Sequence, residues 1–398
     1  MTSPFRIAVF RLLCAVALLL CGTRARADDF STYAAIAPFS FPGETVAFDT
    51  LPDGRLITAV GADIYRETAS GSRAFTHLGA LPNADLSGFG AAFLRVSPGG
   101  STIAVGNNGG ASFGNYQVGI FDIATLTGQW FVANHYDGAW LDDRYVALTA
   151  GALSDPTSIV TALDTLSPTP ANPRNPTIIT NIGGASAGVA IDANGNLFTG
   201  NGYMYGGPSQ TGYIYAFRSS LWSPALSGGA PANFETQGIP IVDLLSAGTL
   251  AFDGRGNLLV GGGDGFGSND SNYFALVRAS AIATALVGGG LIDTSAAAGN
   301  VRRFDPDPSD GTFYTVNVNR VRKEIYGTGF GSETVYAYKA AASAVPATPS
   351  WSVALMVFAL VFVGLSRGRS RSQRPPALTD LGYGSCRGQK GFLFLQRR

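Results

Sequence analysis

The chain has 398 residues, with 27 basic and 27 acidic side chains and three cysteines. That balance conceals an asymmetry: residues 28–366 hold 15 basic and 26 acidic groups, whereas the 32 residues from Arg367 onward hold eight basic and one acidic. An acidic body excludes nucleic acid and anionic lipid as partners of that body. With Cys14, Cys21 and Cys386 all outside residues 28–350, it has no disulfide framework and must rest on its own apolar core.

The first segment carries Arg6 and Arg11, then an uninterrupted apolar run from Leu12 to Cys21, then small residues at Ala25 and Ala27. This three-part layout predicts a secretory signal peptide over residues 1–27, read by the secretion machinery and cleaved before Asp28.

From Glu44 the sequence repeats. Apolar stretches beginning at Glu44, Ala91, Asp137, Ser186, Ser246 and Val301 each run into a turn pair: Asp53-Gly54, Gly99-Gly100, Asp142-Asp143, Asn194-Gly195, Arg255-Gly256 and Asp310-Gly311. A second apolar stretch follows each pair, so the unit reads as strand, tight turn, strand. A glycine-rich loop and a third strand follow in most units, as in "YQVGIFDI", "TSIVTALDT", "GYIYAF", "NYFALVR" and "ETVYAYK". The turns are 43 to 61 residues apart, close to the ~40–50 residues of a four-stranded propeller blade. Three-four apolar spacing is absent outside the two terminal runs, which leaves little helical signal. The expected fold is all-β: a β-propeller of six four-stranded blades over residues 28–344. The stretch "DDFSTYAAIAPFSF" is expected to supply the outermost strand of the last blade.

Propeller ligands commonly sit around the axis, on the rim formed by loops leading into the innermost strands and by loops between second and third strands. The leading positions are Glu44, Ala92, Asp137, Ala187, Gly248 and Arg302. Glu44, Asp137 and Arg302 are therefore candidate ligand contacts, joined by His135 beside Tyr136. "PGETVAFD" is similar to the leading motif of regucalcin- and gluconolactonase-like six-bladed propellers. That resemblance implies a divalent cation on Glu44 and bound water as the reactive species. Ala187 and Gly248 stand where that family has Asn or Asp, and Asp137 is a partial replacement.

Other loops offer further candidates. "GGGDGFGSNDSN" places Asp264, Asn269 and Asp270 in a flexible oxygen-rich loop, a candidate for weak calcium binding. Tyr203 and Tyr205, with Phe113 and Phe266, suit stacking on sugar rings or packing between loops. "GASAG" at 184–188 matches G-x-S-x-G, but a strand follows it and both histidines, His77 and His135, precede it. It belongs to the repeat and not to a nucleophile elbow.

The C-terminal region opens with Val345, Pro346 and Pro349 in a spacer over residues 345–350, followed by an apolar run from Trp351. The fifteen uncharged residues to Leu365 span ~22 Å as a helix, which predicts a transmembrane helix over 351–366. Arg367, Arg369 and Arg371 head a basic tail over 367–398 and suit the cytoplasmic side. Residues 345–371 resemble the bacterial PEP-CTERM class of sorting signals, although "PATP" stands where that class has Pro-Glu-Pro. The resemblance implies processing by an exosortase-type protease; a plain single-pass anchor is the alternative. The sequence thus predicts an exported, envelope-anchored or surface-sorted propeller acting as a non-enzymatic binding or structural module. A carbohydrate or an envelope protein is its expected partner. A metal-dependent, lactonase-like hydrolase with Glu44 as cation ligand is the alternative.

Overall fold

The turns set the architecture. In the first unit Leu51 N–H donates to the Arg55 carbonyl (2.8 Å) and Gly54 N–H to the Leu51 carbonyl (2.8 Å). Gly54 sits at φ +84°, and the equivalent Gly100, Gly195 and Gly256 lie at +75°, +76° and +87°, a region that costs glycine nothing and other residues energy. The hairpin loop is therefore three residues long, a type I turn closed by a left-handed glycine, and not a two-residue turn. Asp192 and Asp253 brace two of these turns: each carboxylate accepts two backbone N–H groups and the side-chain amide of Asn196 or Asn257.

The computed structural model describes residues 32–341, except for 84, 87–89, 109–114, 151–157, 184, 204–211, 245–246, 263–272, 307–312, 314 and 330–331. The predicted signal peptide, sorting segment, membrane helix and tail all lie outside the described residues. Among the described residues, no helix is long and apolar enough to cross a membrane.

Among the described residues the strands form six sheets, antiparallel apart from one short added strand. From innermost to outermost, blade one is Phe48–Thr50, Leu56–Val60, Asp63–Glu67 and Phe75–Ala80; blade two is Ala91–Val96, Thr102–Asn107, Gln117–Asp122 and Gly128–Val132. Blade three is Asp137–Trp140, Tyr145–Ala150, Ser158–Asp164 and Thr177–Ile182, with the short Ala232–Asn233 added in parallel at its edge. Blade four is Ala185–Ile191, Leu197–Tyr203, Tyr213–Phe217 and Ile239–Asp243; blade five is Leu250–Phe252, Leu258–Val260, Phe274–Val277 and Val301–Phe304. Blade six is Thr315–Asn319, Glu324–Thr328 and Thr334–Ala340, completed by the N-terminal strand Tyr33–Ser40. Tyr33 pairs with Ala340 and Ser40 with Thr334, so the ring closes through its first strand, as the sequence predicts. Every described strand of the closed ring lies within residues 33–340.

Two expectations are corrected. The sixth unit begins one strand too early: Val301–Phe304 pairs with Phe274–Val277 as the outermost strand of blade five, and the innermost strand of blade six is Thr315–Asn319. A short apolar strand looks the same at either edge of a blade, and the helix Ala279–Gly288 inserted into blade five lengthens that unit. That helix escapes the apolar-periodicity test because only Ile282 and Ala285 of it are buried, which is too narrow a stripe to show three-four spacing.

The core lies between neighbouring sheets. Phe48, Phe93, Phe198 and Phe274 are among its largest fully buried side chains, each worth roughly 1.5–3 kcal/mol of transfer free energy. Blades one and six are joined by a buried ion network. The Arg322 guanidinium donates to Glu67 (3.0 and 3.1 Å) and to Glu324 (2.8 Å), Arg73 donates to Glu324 (2.8 Å), and Tyr326 O–H donates to Glu324 (2.7 Å).

Candidate functional site

The innermost strands carry polar side chains amid apolar neighbours, and the structure shows why. Around the axis each blade bonds to the next. Val96 N–H of blade two donates to Asp49 Oδ2 of blade one (2.7 Å). Arg95 of blade two donates to Asp137 Oδ1 (2.6 Å) and to the Gly138 carbonyl (2.9 Å) of blade three. Val189 N–H of blade four donates to Asp137 Oδ2 (3.2 Å). Gly188 N–H donates to the Gly248 carbonyl, just ahead of blade five (2.7 Å). Val316 N–H of blade six donates to Thr249 Oγ1, at the start of blade five (2.8 Å). Asn317 Nδ2 then returns to blade one, on the Phe48 carbonyl (2.9 Å) and Asp49 Oδ1 (3.2 Å). These eight hydrogen bonds, at six junctions between blades, form one continuous polar ring.

The ring's charges are costly alone and tolerable together. Asp137 is 0% exposed and Arg95 9%. Burial pushes the Asp137 carboxyl above its usual range, with the Arg95 guanidinium pulling the other way. Asp49 keeps some contact with solvent, yet the dense protein around it also raises its carboxyl, again against the pull of Arg95. Two carboxylates thus lean on one guanidinium, which is itself held by the Gly138 and Leu94 carbonyls.

At the end where the innermost strands turn into the second strands, a cavity of about 590 Å³ opens on the axis. All six innermost strands line it. Its polar side chains come from blades one, two and six: Asp49, Thr50, Arg95, Ser97, Asn317 and Arg320. Blades three, four and five contribute apolar walls, including Trp140, Ile191, Leu250 and Phe252. The cavity stands at the opposite end of the innermost strands from the rim that the sequence singles out.

Among the described residues, the predicted site residues do not converge. Asp137 is consumed in the ring. His135 is buried, its Nδ1 2.8 Å from the Ala133 carbonyl and its Nε2 2.6 Å from the Asn107 carbonyl. Its ring meets Phe93 and Tyr116 edge-on, and burial pushes the imidazole below its usual range. It packs blade two to blade three and presents no open face to a ligand. Arg302 is corrected from a position leading to the axis to the outer edge, where its Nη2 donates to the Tyr33 carbonyl (2.7 Å) and its guanidinium lies over Phe304. Glu44 is exposed ahead of blade one, and among the described residues no three His, Cys, Asp or Glu side chains gather as a metal site. Tyr203 ends the second strand of blade four. Its side chain and the segments holding Tyr205, Phe113, Asp264, Phe266, Asn269 and Asp270 lie outside the described residues.

Sequence reasoning missed Asp49, Arg95, Asn317 and Arg320. The signal was present in "AFDT", "FLRVS" and "TVNVNR", where polar residues interrupt apolar strands. The last glycine of "GASAG" is explained as well: a Cβ on Gly188 meets the Leu250 nitrogen and the Thr249 Cα at 2.6 Å, so glycine is required for close approach of the strands.

No protein-family model matches the chain, and no curated protein matches it. Among solved structures, the PQQ domain of pyranose dehydrogenase from Coprinopsis cinerea is similar at 12% identity and a TM-score of 0.50, over 77% of this chain and 95% of that one. Hydrazine synthase from Kuenenia stuttgartiensis is similar at 14% identity and a TM-score of 0.46, over 74% of this chain and 83% of that one. The sheets and the first of these likenesses define the class: a six-bladed β-propeller with four-stranded blades.

Proposed function

We propose that the protein is an exported propeller, anchored in or sorted through the cell envelope by residues 345–371, that works there as a non-enzymatic binding module. Its partner is a carbohydrate or a surface protein. One observation supports this above all: the charged side chains nearest the axis hold neighbouring blades together, and what they frame is a preformed cavity. An acid–base pair for catalysis must keep a proton-exchanging atom available to a substrate. Asp137 instead spends both carboxylate oxygens on neighbouring blades. The signal-like residues 1–27 and the apolar, arginine-flanked 351–371 support export and membrane association.

The test is fractionation of cells expressing the full chain or a chain ending at Ala344. In parallel, immobilised segment 28–344 is challenged with purified envelope polysaccharide and envelope proteins. The full chain is expected in the envelope fraction, the truncated chain outside it, and the segment is expected to retain an envelope component. Cytoplasmic, uncleaved protein that retains nothing overturns the reading.

A further inference from the structure

The axial cavity has two chemically different halves. Blades three, four and five present only apolar side chains and the Trp140 indole, whereas blades one, two and six present every charged, amide and hydroxyl side chain. The cavity volume of about 590 Å³ falls in the ~300–1,000 Å³ range of small-molecule sites.

The polar side keeps both donors and an acceptor unspent. Exposed Arg320 at the mouth uses Nε on the Phe252 carbonyl (3.2 Å), and among the described residues its two Nη groups make no bond. Asp49 accepts three hydrogen bonds, from Val96, Thr50 and Asn317, which leaves a carboxylate capacity of ~four with one to spare. The charges balance: Asp49 and ring-bound Asp137 offset Arg95 and Arg320. An amphipathic, electrically neutral cavity with unpaired donors and acceptors on one side suits a ring with hydroxyls on its edge and C–H groups on its face.

We infer that the cavity binds the uncharged end of a saccharide, one or two pyranose rings. Its hydroxyl edge meets Asp49 and Arg320, and its apolar face meets the walls of blades three to five. This deepens the binding-module reading and rests on it. Neither a uronate nor an amino sugar matches the balanced charge, because each brings a net charge that the cavity does not offset.

The test uses segment 28–344, which contains every strand of the ring, and saturation-transfer NMR with cellobiose, lactose, N-acetylglucosamine, glucuronate and glucosamine. At least one neutral saccharide is expected to bind, with the two charged sugars at least about ten-fold weaker. Ala251→Trp, which fills the cavity from the apolar wall, is expected to abolish binding. Arg320→Met, which removes the exposed donors at the mouth, is expected to weaken it about five-fold and keeps the test valid where the larger substitution does not fold. Equal binding of charged sugars, or binding indifferent to both variants, overturns the inference. Retention of an envelope component with no saccharide bound, unchanged by Ala251→Trp, overturns it and leaves the binding module standing. Retention of nothing overturns both.

Discussion

Replacing Asp137 with alanine takes away the acceptor that links blades two, three and four. Its Oδ1 holds Arg95 at 2.6 Å and its Oδ2 holds Val189 N–H at 3.2 Å, in a site with 0% exposure. Breaking a buried ion pair from one side leaves the other charge uncompensated, which typically costs ~3–5 kcal/mol. Arg95 keeps the Gly138 and Leu94 carbonyls, so the lower half of that range applies, ~3–4 kcal/mol. At ~2.1 cal/mol/K of unfolding entropy per residue, a ring of roughly 310 residues shifts by about 1.5 °C per kcal/mol, so the midpoint falls by roughly 5–6 °C. Scanning calorimetry of segment 28–344 reads this directly. Removing both charges at once, in Arg95→Met/Asp137→Leu, is expected to recover most of the loss, because nothing charged is then stranded. A single variant that shifts by less than about 2 °C, or a double variant worse than the single one, refutes the view of Asp137 as a structural latch.

Further outcomes follow from the same geometry. Burial works against the Glu324 carboxylate, but the Tyr326 hydroxyl, Arg322 and Arg73 outweigh it and hold its pKa below the usual value. The unfolded chain therefore takes up protons first as pH falls, stability drops on acidification below the ordinary carboxylate range, and Glu324→Gln is expected to flatten that acid limb in a pH series of melts. Gly188→Ala drives a Cβ to 2.6 Å from the backbone of Thr249 and Leu250 and is expected to cost ~1–3 kcal/mol; a wild-type urea midpoint contradicts the close-packed axis. Millimolar calcium is expected to leave the melting midpoint of segment 28–344 unchanged, and Glu44→Ala to be neutral. A rise of several degrees that Glu44→Ala abolishes restores the metal-dependent hydrolase. Starting the chain after Phe41 removes the outer strand of blade six along with buried Tyr33 and Phe41, and should give a protein that self-associates in size-exclusion chromatography.

Much of the fold was legible because the repeat advertises its turns. The glycines at 54, 100, 195 and 256 all adopt left-handed backbone, and the strand pairs around them follow from alternation alone. Blade six was misplaced by one strand because an edge strand and an innermost strand carry the same short apolar pattern. The site was less legible. Asp137 and His135 attract attention as chemistry-bearing residues, but their partners come from other blades: Asp137 meets Arg95 across 42 positions and Val189 across 52. Pairings of that separation depend on how sheets stack about an axis, which local patterning does not encode. The cavity is less legible still, since it is made by the ends of six strands and belongs to no one segment.

The pairing of Tyr33 with Ala340 has a consequence for the order of events in synthesis. Joining positions so distant along the chain carries a closure entropy and favours slow assembly. A nascent chain can build blades one to five in sequence, but its first strand stays idle until the last residues of the propeller appear. Until then the protein is an open arc with a bare sheet edge. Maturation is therefore a single late event, a clasp fastening at one seam, and a truncation before Thr334 leaves that seam unfastened.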